Sequence, residues 1–308
     1  MIDNGISNRQ NETKNIDSLA SQRQLYFEAK QMTLYQFILC VLIPIALPSL
    51  KNFNTNNTIQ LALISIFSIL IVIINNFYFE KQLKSQRTKA AKIQELFDTD
   101  VLVMNWNSQL CGSKEILYNG LKIKAEKYKK RNKTVDNLLN WYPQEYSKVD
   151  ISAGRIMCQK VNIAWDNEVR LAFKYFLIII LMISSIFITI YSIVINNSFS
   201  DTIISILAPL FPISYYIFKK YCENNDTIMR NEKMHGIMEV VWDQAMKENS
   251  TIADLATASR KLQDSIFNYR SNALIIWDWF YFFKREKQES NMNEVAKHIV
   301  EEFNKAKS

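Results

Sequence analysis

Histidine is nearly missing from this sequence, with only His235 and His298, and the four cysteines, Cys40, Cys111, Cys158 and Cys222, stand far apart without a C-x-x-C pair. That pattern argues against a zinc site and against a disulfide framework, so no metal and no cofactor is expected. Glycine and proline number five each in 308 residues. No glycine-rich loop is available to cradle a phosphate, and no G-x-S-x-G nucleophile elbow is present. No convergent set of acid, base or nucleophile stands out, so no catalytic residue is assigned and an enzyme is not expected.

Charge is missing in a patterned way. Residues 175–195 contain no Asp, Glu, Lys, Arg or His, and at roughly 1.5 Å per residue that run is long enough to cross a bilayer core as a helix. Lys174 precedes it and Asn196 and Asn197 follow it. Three similar runs cover 33–50, 59–79 and 202–218. The expected fold is therefore an all-α integral membrane protein, with two transmembrane helical hairpins (four spans) and a mostly helical cytoplasmic body. Two buried hairpins in a soluble protein are the alternative, and the lengths and the charge bias count against it. Lys81, Lys84, Arg87, Lys89 and Lys92 follow the second span, and Lys219 and Lys220 follow the fourth. The 196–201 linker has neither Lys nor Arg. By the positive-inside rule the body and both termini lie in the cytoplasm and only two short turns face outward.

This divides the chain into a cytoplasmic leader (1–31), a first transmembrane hairpin (32–79), a first cytoplasmic block (80–171), a second hairpin (172–218) and a second block (219–308). No cleavable signal peptide is visible. Residues 1–20 lack periodicity and are expected to be mobile, whereas 21–31 reads as helix. In the body, 97–107 (FDTDVLVMNWN) partly alternates and reads as an extended segment or a short strand. Residues 113–132 are helical, NWYP (140–143) is a turn, and 151–170 is a helix feeding the third span. Two further helices cover 225–247 and 251–270, the second opening on Thr251 and Asp254 at capping-box spacing. The aromatic run 275–283 is expected to be packed or interfacial, and 291–306 is an amphipathic helix.

Several groups could carry function, each against a plainer structural role. Glu95, Asp98 and Asp100 could pair as carboxylates or metal ligands, but capping and solvated charge is the simpler reading. The basic run 122–133 holds seven positive charges against Glu126. It reads as a solvated helix face, with lipid headgroups and nucleotide phosphates as alternatives. Arg155, Gln159 and Asn162 share a helix face with Lys160 beside them, and Trp165 and Asp166 precede Arg170 by about a turn. Together with Trp141 of the NWYP turn they are candidates for ligand binding or for coupling body to membrane. The spans hold no ionisable residue away from their ends, which counts against an ion-coupled pump. Their hydroxyls, Ser184, Ser185, Thr189 and Ser192 in the third span, suit helix packing and pore lining alike. Pro44 and Pro48 in the first span and Pro209 and Pro212 in the fourth are hinge candidates.

FDTDVLVMNWN, NWYP, the run Cys158, Gln159, Lys160, Val161, Asn162 followed by Trp165, Asp166 and Arg170, LQDSIFNYR (262–270) and WDWFY (277–281) together resemble the SMODS-associating four-transmembrane family of pore-forming effectors. The resemblance covers nearly the whole chain after the leader. Lys160 stands where the family often has Arg, and Trp277 where it has Pro. The resemblance implies a bacterial anti-phage role, in which a cyclic-nucleotide synthetase senses infection and its product triggers a membrane effector. The expected protein is closed at rest in the bacterial inner membrane, and it oligomerises or rearranges to permeabilise that membrane. Its partners would be the lipid bilayer, further copies of itself and a cyclic oligonucleotide, with no DNA or RNA. A non-conducting, membrane-anchored receptor or scaffold for a cytoplasmic partner is the rival reading.

Overall fold

The computed structural model describes residues 3–47, 57–132, 134–163, 167–195, 198–247, 250–280 and 292–307. Among the described residues there is no strand. Helix α1 (Thr13–Phe37) runs on through a wide π turn (Ile38–Leu42) into Ile43–Ala46. Pro44 has no N–H to give and its ring crowds the preceding carbonyls. A π turn directly before it, with the Ile43 N–H reaching Ile38 O, lets the helix continue without a break. Pro48 lies outside the described residues.

Helix α2 (Asn57–Ile74) passes through a second π turn (Asn75–Glu80) into α3 (Lys81–Val101). The other long helices among the described residues are α4 (Glu115–Arg131), α5 (Ile151–Ile163), α6 (Asn167–Ile195), α7 (Phe199–Met246), α8 (Ile252–Asn272) and α9 (Met292–Lys307). Four of these helices are long and apolar enough to cross a membrane. We take their membrane portions as residues 33–47, 57–79, 175–195 and 199–218. Along them the large apolar side chains point outward: Leu63, Phe77, Ile183 and Val194 are 61, 79, 60 and 77 % exposed. A water-facing surface of that kind is not tolerated, whereas lipid tails favour it.

The body packs α3 against α1 and α8, α5 against α8 and α7, and α4 against α1. Its core joins Phe97, Leu138, Tyr142, Ile156, Met157, Met238 and Leu262. A second apolar cluster, with Phe173, Leu177, Ile213, Tyr216, Leu274, Ile276 and Phe280, fills the level where the spans meet the body. The aromatic run is packed there: Phe280 meets Phe173 edge-on at 5.3 Å and Trp277 meets Phe37 at 5.2 Å. Residues 281–283 lie outside the described residues.

Two expectations are corrected. The leader is part of the body, because Ile6, Gln10 and Leu19 are fully buried. Asn4 Nδ2 donates to Tyr146 O at 2.8 Å and to Val149 O at 3.0 Å, and Gln10 and Tyr142 exchange two hydrogen bonds. Its partners lie some 130–145 positions away, so local periodicity could not reveal them. The 97–107 segment is not extended along its length: α3 continues to Val101 and ends in a turn, with Val103 at φ 53°. The apparent alternation there is the apolar face of α3 reaching the body core through Phe97 and Val101.

Candidate functional site

The body's interior is unusually polar where α3, α5 and α8 meet. Glu95 and Asp98, one turn apart on α3, have fully buried side chains, so they are neither caps nor solvated charges. A buried carboxylate needs an ionic partner and satisfied lone pairs. Arg260 Nη2 meets Glu95 Oε1 at 2.6 Å and Asp264 Oδ1 at 2.7 Å. Arg270 Nη1 pairs with Asp98 Oδ2. Gln263 Nε2 bridges the two acids, at 2.8 Å from Glu95 Oε2 and 2.9 Å from Asp98 Oδ2. Burial still pushes the Glu95 carboxyl above its ordinary range despite Arg260. Asp100, by contrast, sits at the rim with Lys14 at 2.9 Å and Asn15, as the plainer reading has it.

Two of the sequence candidates join this network. Gln159 Nε2 donates to Gln263 Oε1 at 3.0 Å and to Ser259 O at 2.9 Å. Asn162 Nδ2 donates to the Tyr142 hydroxyl, which donates to Asp98 Oδ1 at 2.6 Å. Arg155, on the same face of α5, caps the end of α3 by donating to Leu102 O and Val103 O, both at 2.6 Å. Lys160 stands apart, its ammonium 4.0 Å from the Trp242 ring centroid of α7, and burial lowers its pKa. Trp141 lies on the α1 side, edge-on to Phe97 and under the Arg23 guanidinium. Trp165 and Asp166 lie outside the described residues. His235 is half-buried and His298 exposed.

A second constellation connects this interior to the membrane. The backbone at the end of α8 and just past it is held from three directions. Arg87 of α3 donates to Ser271 O at 2.9 Å and Ala273 O at 3.2 Å. Arg170 of α6 is 2 % exposed and donates to Leu274 O at 3.2 Å. Thr227 of α7 accepts from Leu274 N at 3.1 Å. Asn224 of α7 also donates to Arg170 O at 2.8 Å. Arg170 is thus the candidate that sits at the junction itself, while Arg155, Gln159 and Asn162 sit one layer deeper in the body. Just above, a polar seam closes the spans: Gln36 donates to Asn75 Oδ1 at 2.6 Å and to Glu80, and Glu80 pairs with Lys220 at 2.8 Å and Lys219 at 3.5 Å.

Arg260 and Arg270, the partners of Glu95 and Asp98, were not candidates from the sequence. Their one visible signal is spacing, since Arg260, Gln263 and Arg270 recur on one face of α8 as Glu95 and Asp98 do on α3. The basic run on α4 is largely spoken for: Lys124 and Lys127 reach Glu28 at 2.6 and 2.8 Å, and the Arg131 guanidinium covers the Phe27 ring at 3.6 Å. In α6, Ser184 and Ser192 face inward at 2 and 1 % exposure beside Ile188, while Ser185 and Thr189 are half-buried. Ser184 and Ser185 return their hydroxyls to Ile180 O and Leu181 O, both at 2.7 Å.

The family model for the SMODS-associating 4TM effector domain matches residues 4–299, which takes in all four spans and both constellations. The chain belongs to this family. A protein of Bacillus cereus (strain VD146), described as a probable CBASS effector molecule, is 27 % identical over 304 residues, an alignment that covers 96 % of this chain and 98 % of the relative. No solved structure matches the chain.

Proposed function

We propose that this chain is the membrane effector of an anti-phage defence system signalled by a cyclic nucleotide, and that it permeabilises the bacterial inner membrane when activated. Membership of the effector family and the likeness to a probable CBASS effector support the defence role. The lysines and arginines after the second and fourth spans support an orientation with the body and both termini in the cytoplasm. The observation that carries the gating step is continuity. Helix α7 is a single 48-residue element that starts at the far end of the fourth span and ends in the body core. A rearrangement around Glu95, Asp98 and Arg270 therefore tilts α8, and α8 is joined through residues 271–274 to α3, α6 and α7. Pro209 and Pro212, buried within α7, supply the compliance such a tilt needs.

Four spans are few for enclosing a wide passage, so the conducting form is a homo-oligomer. The chain needs no catalytic site of its own to act in this way. The test is dye release and ion flux from liposomes holding the purified chain, with a panel of cyclic di- and trinucleotides added. Leakage that depends on one of these nucleotides is the expected result. A folded, inserted protein that stays tight with every one of them overturns the reading. That outcome leaves the non-conducting, membrane-anchored scaffold.

A further inference from the structure

A pocket of about 470 Å³ opens on the side of the junction, a size suited to a small ligand. Its walls come from four elements: Thr33 of α1, the start of α3, the middle of α7, and residues 272–275 past α8. Its chemistry is unbalanced. Lys81, Lys84, Arg87, Lys219, Lys220 and Arg230 line it against only Glu80, Glu223 and Asp226. Much of that charge is already committed. Glu80 takes Lys219 and Lys220, Glu223 takes Lys220 at 3.3 Å, and Asp226 stands 3.9 Å from Arg230. Among the described residues, no carboxylate lies within ion-pair distance of Lys81, Lys84 or Arg87. Arg87 is also locked in place by the Ser271 and Ala273 carbonyls, so its guanidinium lines the pocket without a search through rotamers.

The depth of the pocket matters as much as its charge. Phe77 and Tyr78, 79 and 55 % exposed, lie three and two residues before Glu80 on the same continuous helix. Exposed aromatic rings of this kind sit at the headgroup level of a bilayer. A basic cleft between membrane helices at that depth, on the lysine-rich side, has the makings of a phosphate site.

We propose that this pocket binds a phosphate-bearing anion, held by Lys81, Lys84 and Arg87 with Arg230 at the rim. The anion comes either from an acidic phospholipid headgroup entering sideways or from the phosphodiester of a soluble nucleotide entering from the cytoplasm. Either one would draw α1, α3, α7 and the end of α8 together, and would so set how readily the spans move. That regulatory consequence rests on the effector reading above, whereas the binding itself does not.

The experiment uses the full chain in nanodiscs. In one arm, the discs contain phosphatidylcholine with or without phosphatidylglycerol or cardiolipin, and native mass spectrometry counts the lipid retained on release. In the other, labelled cyclic di- and trinucleotides are titrated into phosphatidylcholine discs, with inorganic phosphate as competitor. Lys84→Glu with Arg230→Glu is expected to weaken the retained anion by about tenfold or more, since two charges in the cleft are reversed. Lys84→Gln with Lys81→Gln should weaken it less, and Lys89→Glu, outside the pocket, should leave it unchanged. Loss confined to the lipid arm names the headgroup as the source, and loss confined to the nucleotide arm names the messenger. No anion bound in either arm, or binding that the pocket variants leave at the Lys89→Glu level, overturns the proposal. Liposome leakage is read separately, so a chain that binds the anion but never leaks keeps the site and loses the pore.

Discussion

At the scale of single residues, Asp98 holds the most in place. It is fully buried and accepts from Tyr142, Gln263 and Arg270. Asp98→Ala should cost about 3–5 kcal/mol, because it strands a buried arginine. Thermal unfolding in detergent would register that loss, and Asp98→Leu combined with Arg270→Met should recover much of it by removing both charges. Gly154 is constrained differently. A Cβ there would meet Asn4 Nδ2 at 2.6 Å and the Tyr146 carbonyl at 2.9 Å. Gly154→Ala should therefore loosen the N-terminal segment at a cost of about 1–3 kcal/mol, visible as faster proteolysis ahead of residue 13.

Glu28 makes the sharpest pH prediction. Burial acts to raise its pKa, but hydrogen bonds from Gln24, Lys124 and Lys127 outweigh this and pull it down to about 2. An unfolded glutamate titrates near 4.3. The folded value is the lower one, so the contribution is complete above the unfolded pKa and is lost as pH falls from there towards 2. Amide exchange in α4 should accelerate across that window, and Glu28→Gln should flatten the change. Such residues also mark where sequence reasoning stops. Glu95 and Asp98 find their partners 165–172 positions away, and no local pattern distinguishes them from the rim-exposed Asp100.

At the scale of elements, the spans were the most legible part, because bilayer length and flanking charge are written in consecutive residues. The capping box of α8 was equally local: Asp254 N donates to Thr251 Oγ1 at 3.1 Å, and that hydroxyl donates to Asp254 Oδ2 at 2.6 Å. The prolines were legible as positions but not as shapes. Pro44 is accommodated by a π turn, whereas Pro209 and Pro212 are carried inside an unbroken α7. This difference makes a prediction about motion. Pro209→Leu with Pro212→Leu should stiffen α7 and reduce ligand-dependent leakage severalfold while membrane insertion stays intact. Arg170→Lys should uncouple differently, since a lysine cannot hold both the Leu274 carbonyl and the Tyr269 hydroxyl that Arg170 now reaches. Insertion with loss of leakage would support coupling; loss of the folded protein would return Arg170 to a structural role.

At the scale of the whole molecule, the contacts that complete the body are separated by about half of the chain. The N-terminal segment docks on residues 142–149, and the acids of α3 wait for α8. A ribosome therefore delivers all four spans to the membrane well before it delivers Arg260 and Arg270. For that interval the newborn chain carries two acids with no arginine to meet them, and its body cannot close. A message truncated ahead of codon 260 should yield a product that inserts but is cleared by proteases, which pulse-chase labelling would reveal. On the proposed reading, a chain that permeabilises its own cell's membrane becomes competent only once Arg260 and Arg270 are made, so translation itself would serve as the safety catch.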